Sequence, residues 1–236
     1  LPTDLDVFFP TASPQQLEEL ASAFGAVGAT SLLPLQADLL RELGATHGGP
    51  HVLVQAPMGS GKTLIMLAAT AQLWLQQEGE RTLVLSPTNV HNQGLQHQAQ
   101  LFVGKLGEHA ECLAALETCP HTTRRAQFEA QDAQNALVLI STPELVLALL
   151  NTAWFCAFAV DVGLVVGDES DELLGGERHA FELIVNRLAA LRRKLGRDRP
   201  MPQLMLLGAT HDNMRATIEP WVSAMGSDRA ILERCV

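Results

Sequence analysis

The sequence predicts an α/β fold with a mostly parallel central sheet and helices on both faces. Two observations carry this. Short runs of Val, Leu and Ile recur along the chain, each too continuous for a strand with one wet face. Between them lie segments with apolar residues three and four apart, the spacing of amphipathic helices. Alternating strands and helices close most simply into a parallel sheet with crossover helices above and below. The length of 236 residues and a 47% hydrophobic content are ample for a sizeable core.

The elements follow in order. "SPQQLEELASAF" reads as a helix with Ser13 at its N-cap and Pro14 at its first position, where a missing N–H costs nothing. "LPLQADLLREL" reads as a second helix. "HVLVQA" is the first predicted strand, and a helix follows over Leu64 to Leu75. "RTLVLS", "ALVLIS", "VGLVVGD" and "QLMLLGAT" are the other predicted strands. Phe181, Ile184, Leu188 and Leu191 mark one face of a further helix. The basic run "LRRKLGRDRP" suits a helix C-terminus followed by an exposed loop, with an RNA-facing patch as the alternative. Residues 1–48 are expected to carry N-terminal helices packed on a nucleotide-binding unit over 49–236.

Charge and composition narrow the function. The formal charge of −10 repels polyanions overall, so any nucleic-acid contact must be local or shared with a partner. Four cysteines make no disulfide framework, and an intracellular setting is expected, in cytoplasm, nucleus or an organelle. No apolar stretch is long enough to cross a bilayer, and no membrane partner is expected. The chain begins at Leu1 without Met, which suggests a piece of something longer. His109, Cys112, Cys119 and His121 lie close together, but their spacing fits a zinc site poorly. His211 reads as a loop histidine, with a phosphate-sensing role as the alternative.

The chemistry concentrates at two strand ends. After "HVLV" comes "QAPMGSGKTL". Pro57, Met58, Gly59, Ser60 and Gly61 form a turn whose backbone N–H groups can face an anion, and the following helix adds unpaired donors and a positive dipole end. Lys62 is placed to reach β- and γ-phosphates, and the Thr63 hydroxyl to ligate Mg²⁺. The usual first glycine of this pattern is Ala56. A triphosphate site also needs a carboxylate at a second strand end. "LVVGDESDELL" offers Asp168 for Mg²⁺ and Glu169 to orient and deprotonate water. A nucleoside triphosphate and Mg²⁺ are therefore the expected ligands.

With these motifs in place the chain resembles the DEAD-box proteins, ATP-dependent RNA helicases of helicase superfamily two, and specifically their first RecA-like P-loop domain. "APMGSGKT" resembles their motif I, and "DESDELL" motif II with Ser170 in place of alanine. "GAT" at Gly208 to Thr210 resembles motif III, which couples hydrolysis to unwinding. "GATSLLPLQ" resembles the Q motif and gives Gln36 the adenine edge. The resemblance implies RNA contacts at Pro87, Thr88, Thr142 and Pro143, and coupling through Ser170, Asp171, Gly208 and Thr210. It implies an ATP hydrolase of RNA helicase type, with RNA and ribonucleoprotein assembly factors as partners, and a second RecA-like domain that this chain lacks.

The departures fall unevenly. Ala29 stands where the Q motif has a base-stacking aromatic, a role left for Phe24 or Phe9 to fill. "PTNVHNQ" has lost the Arg-Glu pair of motif Ia, and "STPEL" has lost the arginine of motif Ib and carries Glu144 in its glycine position. "LETCPH" occupies the place of a double glycine. Phosphate and metal residues are kept while RNA-gripping cations are gone. That pattern suggests a divergent member whose ATP cycle times ribonucleoprotein assembly more than it unwinds duplexes. The alternatives are a non-catalytic helicase domain used as an assembly platform, and a DNA translocase of the same superfamily.

Overall fold

The computed structural model describes residues 5–44, 49–76, 80–106, 113–115, 137–194, 201–209 and 214–235. Seven strands form one sheet in the order β3-β4-β2-β5-β6-β1-β7: β1 His51–Gln55, β2 Arg81–Leu85, β3 Leu113–Ala115, β4 Val138–Ser141, β5 Val162–Asp168, β6 Gln203–Gly208 and β7 Ile231–Cys235. Every pairing is parallel. The five strands read from apolar runs are β1, β2, β4, β5 and β6. The other two, β3 and β7, are the sheet's edges.

The strands alternate sides with period two, and each side has its own core. On one face Val52, Val54, Leu164, Val166, Met205 and Leu207 are buried under α1 Leu5–Phe8, α2 Pro14–Ala26, α3 Pro34–Gly44, α4 Lys62–Gln76 and α5 Asn89–Val103. On the other, Leu53, Leu83, Val165, Leu204 and Leu206 meet α6 Pro143–Leu149, α7 Ala153–Val160, α8 Ser170–Gly176, α9 Arg178–Lys194 and α10 Met214–Ala224. Phe181, Ile184, Leu188 and Leu191 are the buried face of α9. Ser13 caps α2 in a full capping box with Gln16. The N-terminal helices are tied to α4 by Gln72, whose Nε2 donates to Phe8 O at 2.8 Å and Leu40 O at 2.9 Å.

Among the described residues no single helix is long and apolar enough to cross a membrane; the bent pair α6 and α7 passes on composition together, but much of its apolar surface lies in the core.

A parallel sheet puts all strand C-termini on one rim. Because β6 runs between β5 and β1, the ends of β5 and β1 lie two strand spacings apart, about 10 Å. The opposite rim is locked by buried ions. Arg192 Nη2 meets Glu80 Oε1 at 2.7 Å, and its Nη1 donates to Val162 O. His51 is fully buried there, its Nδ1 accepting from Leu204 N at 3.0 Å and its Nε2 at 3.0 Å from Ser227 Oγ.

Candidate functional site

The loop after β1 folds as its composition requires. Gly59 and Gly61 both have φ +79°, a left-handed backbone that glycine adopts without a Cβ penalty. A Cβ on Gly61 would also lie 2.1 Å from Gln36 Nε2. The loop's base is tied to the sheet by Ala56 N donating to Gly208 O at 2.9 Å. Lys62 opens α4 and is buried, its amine donating to Ala56 O at 2.8 Å and Pro57 O at 3.2 Å. Two of the three ammonium hydrogens are thus engaged, which leaves one for an anion.

Asp168 closes β5, paired with Leu207 of β6. Burial, then repulsion from Glu169, pushes its carboxyl up to about 6, against opposing pulls from the Glu169 N–H, Lys62 and His91. A buried acid held next to a second acid is a place where a cation is favoured. Glu169 caps α8 at φ 47°, and no other non-glycine residue among those described has positive φ. A side chain held in that region marks a position the fold over-determines, as functional sites do.

Lys62, Thr63, Asp168 and Glu169 line one cavity of about 450 Å³, together with Gly59, Gly61 and Gln36. Its further wall is the segment from Val27 to Leu33 with Leu64, Leu67 and Gln98. The two halves, over a hundred residues apart in sequence, thus converge. Gln36 is buried and its amide is in use at both ends. Oε1 accepts from Leu33 N at 2.8 Å, and Nε2 reaches Ser60 O and Gly61 O, each at 3.3 Å. The glutamine therefore braces the loop. Met58, at the loop's tip, is 85% exposed.

The expectation that Phe24 or Phe9 stacks on a base is corrected. Both are fully buried and pack on each other, with Phe24 edge-on to Phe102 at 5.3 Å. Helical spacing could not separate a core aromatic from a pocket one. The expected RNA contacts come together but not in this cavity. Ser86 N donates to Ser141 O at 3.1 Å, joining the segment of Pro87 and Thr88 to that of Thr142 and Pro143. Thr88 is exposed and caps α5, accepting from His91 N at 3.4 Å, while Thr142 is buried at the start of α6 without a side-chain cap bond. Ser170 is buried at the start of α8, and Asp171 turns a buried Oδ1 toward no hydrogen-bonding partner among the described residues. Thr210, His211 and the quartet His109, Cys112, Cys119 and His121 lie outside the described residues. Among the described residues no three His, Cys, Asp or Glu side chains gather as a metal cage. Thr63 and Asp168 instead offer the few hard oxygens that Mg²⁺ takes when phosphates and water supply the rest.

Residues 34–217 match the family model of the DEAD/DEAH box helicase. The chain belongs to the DEAD/DEAH box helicase family. No curated protein sequence matches this helicase domain. Among solved structures it is similar to Mss116p bound to ssRNA and AMP-PNP, at 17% identity and TM-score 0.76, covering 100% of this chain and 45% of that one. The yeast DEAD-box splicing factor Prp28 aligns at 16% identity and TM-score 0.76, over 99% of this chain and 51% of its own. The DUF1998 helicase MrfA bound to DNA and AMPPNP aligns at 20% identity and TM-score 0.68, over 95% of this chain and 29% of its own. The helicase domain thus has the RecA-like fold of these proteins and spans about half their length or less.

Sequence reasoning missed Gln98, Leu64 and Leu67 as cavity residues. No motif spacing connects α5 to the phosphate loop; only the packing of helices does.

Proposed function

We propose that this domain binds Mg²⁺–nucleoside triphosphate and hydrolyses it as the first half of an RNA-stimulated helicase ATPase. The observation that carries the reading is the convergence of Lys62 and Thr63 with Asp168 and Glu169 around one cavity. Loop N–H groups and the Lys62 amine hold the phosphates, and Gln36 keeps the loop in shape. Thr63 and Asp168 hold the metal, which neutralises phosphate charge when bound. Glu169, fixed by its left-handed backbone, orients the attacking water and takes its proton.

RNA runs across the Thr88 and Thr142 edge of the same rim, where the N-terminus of α5 and the exposed Thr88 hydroxyl meet a phosphate in place of the missing arginines. Ser170, Asp171, Gly208 and Thr210 couple that edge to the acids; Gly208 already touches the loop's base through Ala56. The reading is supported by Mss116p and yeast Dbp5, each solved with RNA and a nucleotide or its analogue.

The test measures ATP hydrolysis by the full-length protein, with and without single-stranded RNA. Turnover that rises with RNA and disappears in Lys62→Ala and Glu169→Gln is expected. Nucleotide binding without turnover under all conditions would instead favour an assembly platform. The likeness to MrfA, solved with DNA, gives a second reading as a DNA translocase, favoured if DNA stimulates and RNA does not.

A further inference from the structure

The first turn of α5 stands between two parts of the rim. On its outer side is Thr88, exposed, where the proposed RNA phosphate rests. On its inner side is Asp168. Leu85 of β2 pairs with Gly167 of β5, so the chain leaves β2 one strand spacing from the acid, about 5 Å, and α5 starts at Asn89. His91 lies in that first turn and is half-buried. Seven residues separate it from Gln98, which lines the nucleotide cavity, so the two share one stripe of the helix. Among the pulls that oppose burial at the Asp168 carboxyl is His91.

His91 Nδ1 and Thr88 Oγ1 lie 3.1 Å apart, a hydrogen-bonding distance. A hydroxyl and an imidazole nitrogen can share that bond in two ways. Either the hydroxyl donates to a bare Nδ1, or Nδ1–H donates to the hydroxyl oxygen. A phosphate oxygen only accepts. Once it takes the Thr88 hydrogen, the bond to His91 survives only with a proton on Nδ1, and the neutral ring is left with a bare Nε2. Phosphate on the outside thus selects one tautomer of a ring that stands beside Asp168. The turn itself is not pinned to the strands. Asn92 within it and Ser86 at the end of β2 are buried, and Ser86 Oγ and both polar atoms of the Asn92 amide find no hydrogen-bonding partner among the described residues. The Thr88 cap, accepting from His91 N at 3.4 Å, and packing hold the turn, so it can move with its cap.

We infer that His91 is a positioning residue through which RNA bound at Thr88 adjusts the Asp168 side of the nucleotide site. This rests on the ATPase reading above. The ring need touch neither RNA nor nucleotide: it acts through the threonine on one side and the acid on the other.

RNA-stimulated ATP hydrolysis by the full-length protein tests the assignment. Two quantities are read, the fold stimulation at saturating single-stranded RNA and the RNA concentration that gives half of it. His91→Leu should cut the fold stimulation by roughly five- to twentyfold while moving the half-saturating concentration by less than about twofold. His91→Gln keeps a bonding group toward Thr88 and should fall between the two, which separates a lost link from a misfolded turn. Thr88→Ser keeps the hydroxyl and should keep the stimulation; Thr88→Val should lose it. In a Thr88→Val background His91→Leu should subtract less than about another factor of two, because the pair acts as one unit. A His91→Leu protein stimulated as strongly as the unmodified one, losses that multiply in the double variant, or a change confined to the half-saturating concentration overturns the assignment while leaving the ATPase reading standing. An unmodified protein that RNA does not stimulate, or whose hydrolysis survives Lys62→Ala, overturns both.

Discussion

Asp168 and His51 are each held in an uncomfortable place, and their effects on stability have opposite signs. Asp168 is raised to about 6 in the fold from 3.8, by burial and then by Glu169. Its charged form is disfavoured by folding, so the cost is complete above about pH 6 and fades as pH falls toward 3.8. Asp168→Asn should therefore stabilise the nucleotide-free domain at pH 7.5 by an amount on the order of 1–3 kcal/mol, read in thermal melts as a higher midpoint, while abolishing hydrolysis. His51 is lowered to about 4 from 6.5, chiefly by burial and then by Arg229. It must stay neutral for Nδ1 to accept from Leu204 N. Its stabilising contribution is complete above pH 6.5 and is lost as pH falls from there through about 4. Between pH 7.5 and 5 the two effects oppose each other in the unmodified chain. Thermal melts of Asp168→Asn should fall more steeply on acidification, because only the histidine's loss remains. Equal slopes would show that the environment of Asp168 is misread. That Lys62, Thr63, Asp168 and Glu169 line one cavity was legible in sequence, because their motifs stand at two strand ends of a parallel sheet. Gln98 was not, because an exposed glutamine on a helix carries no local signal.

At the scale of elements, a buried ion pair ties α9 to Glu80, the residue just before β2, with Gly163 of β5 against it. A Cβ at Gly163 would lie 1.4 Å from Glu80 Oε2, so the glycine makes room for the carboxylate that meets Arg192. Arg192→Ala should destabilise the domain by roughly 3–5 kcal/mol, because Glu80 is left charged in the interior. Gly163→Ala should lower denaturant resistance through the same contact, and its effect should shrink in an Arg192→Met, Glu80→Gln background, measured by urea unfolding. The pattern of elements was largely legible. The five inner strands are apolar on both sides, and their runs of Val, Leu and Ile say so. The edge strands escaped for physical reasons. β7, "ILERC", is only half-buried and mixes charge into its pattern, and β3 has three residues. The missing ring at Ala29 was visible in sequence, but the burial of Phe9 and Phe24 depended on where α5 lies, which only the assembled fold settles.

For the molecule as a whole, the chain spans 45% of Mss116p and 51% of Prp28. A P-loop site completed by an arginine from another domain can gain about 10³–10⁵ in turnover. This chain alone should therefore bind nucleotide yet hydrolyse it very slowly, in a phosphate-release assay at saturating ATP. Fast turnover would mean that the described cavity is already complete.

The all-parallel sheet has a practical consequence. The cavity of Lys62 and Asp168, where we propose that nucleotide binds, lies at the end where strands finish, whereas Glu80, Arg192 and His51 hold together the end where they begin. Damage to either end leaves a different trace: a well-folded, inert protein in one case, a competent but short-lived one in the other. A variant survey scoring only heat tolerance would pass over Glu169→Gln, and would rank Asp168→Asn among its improvements.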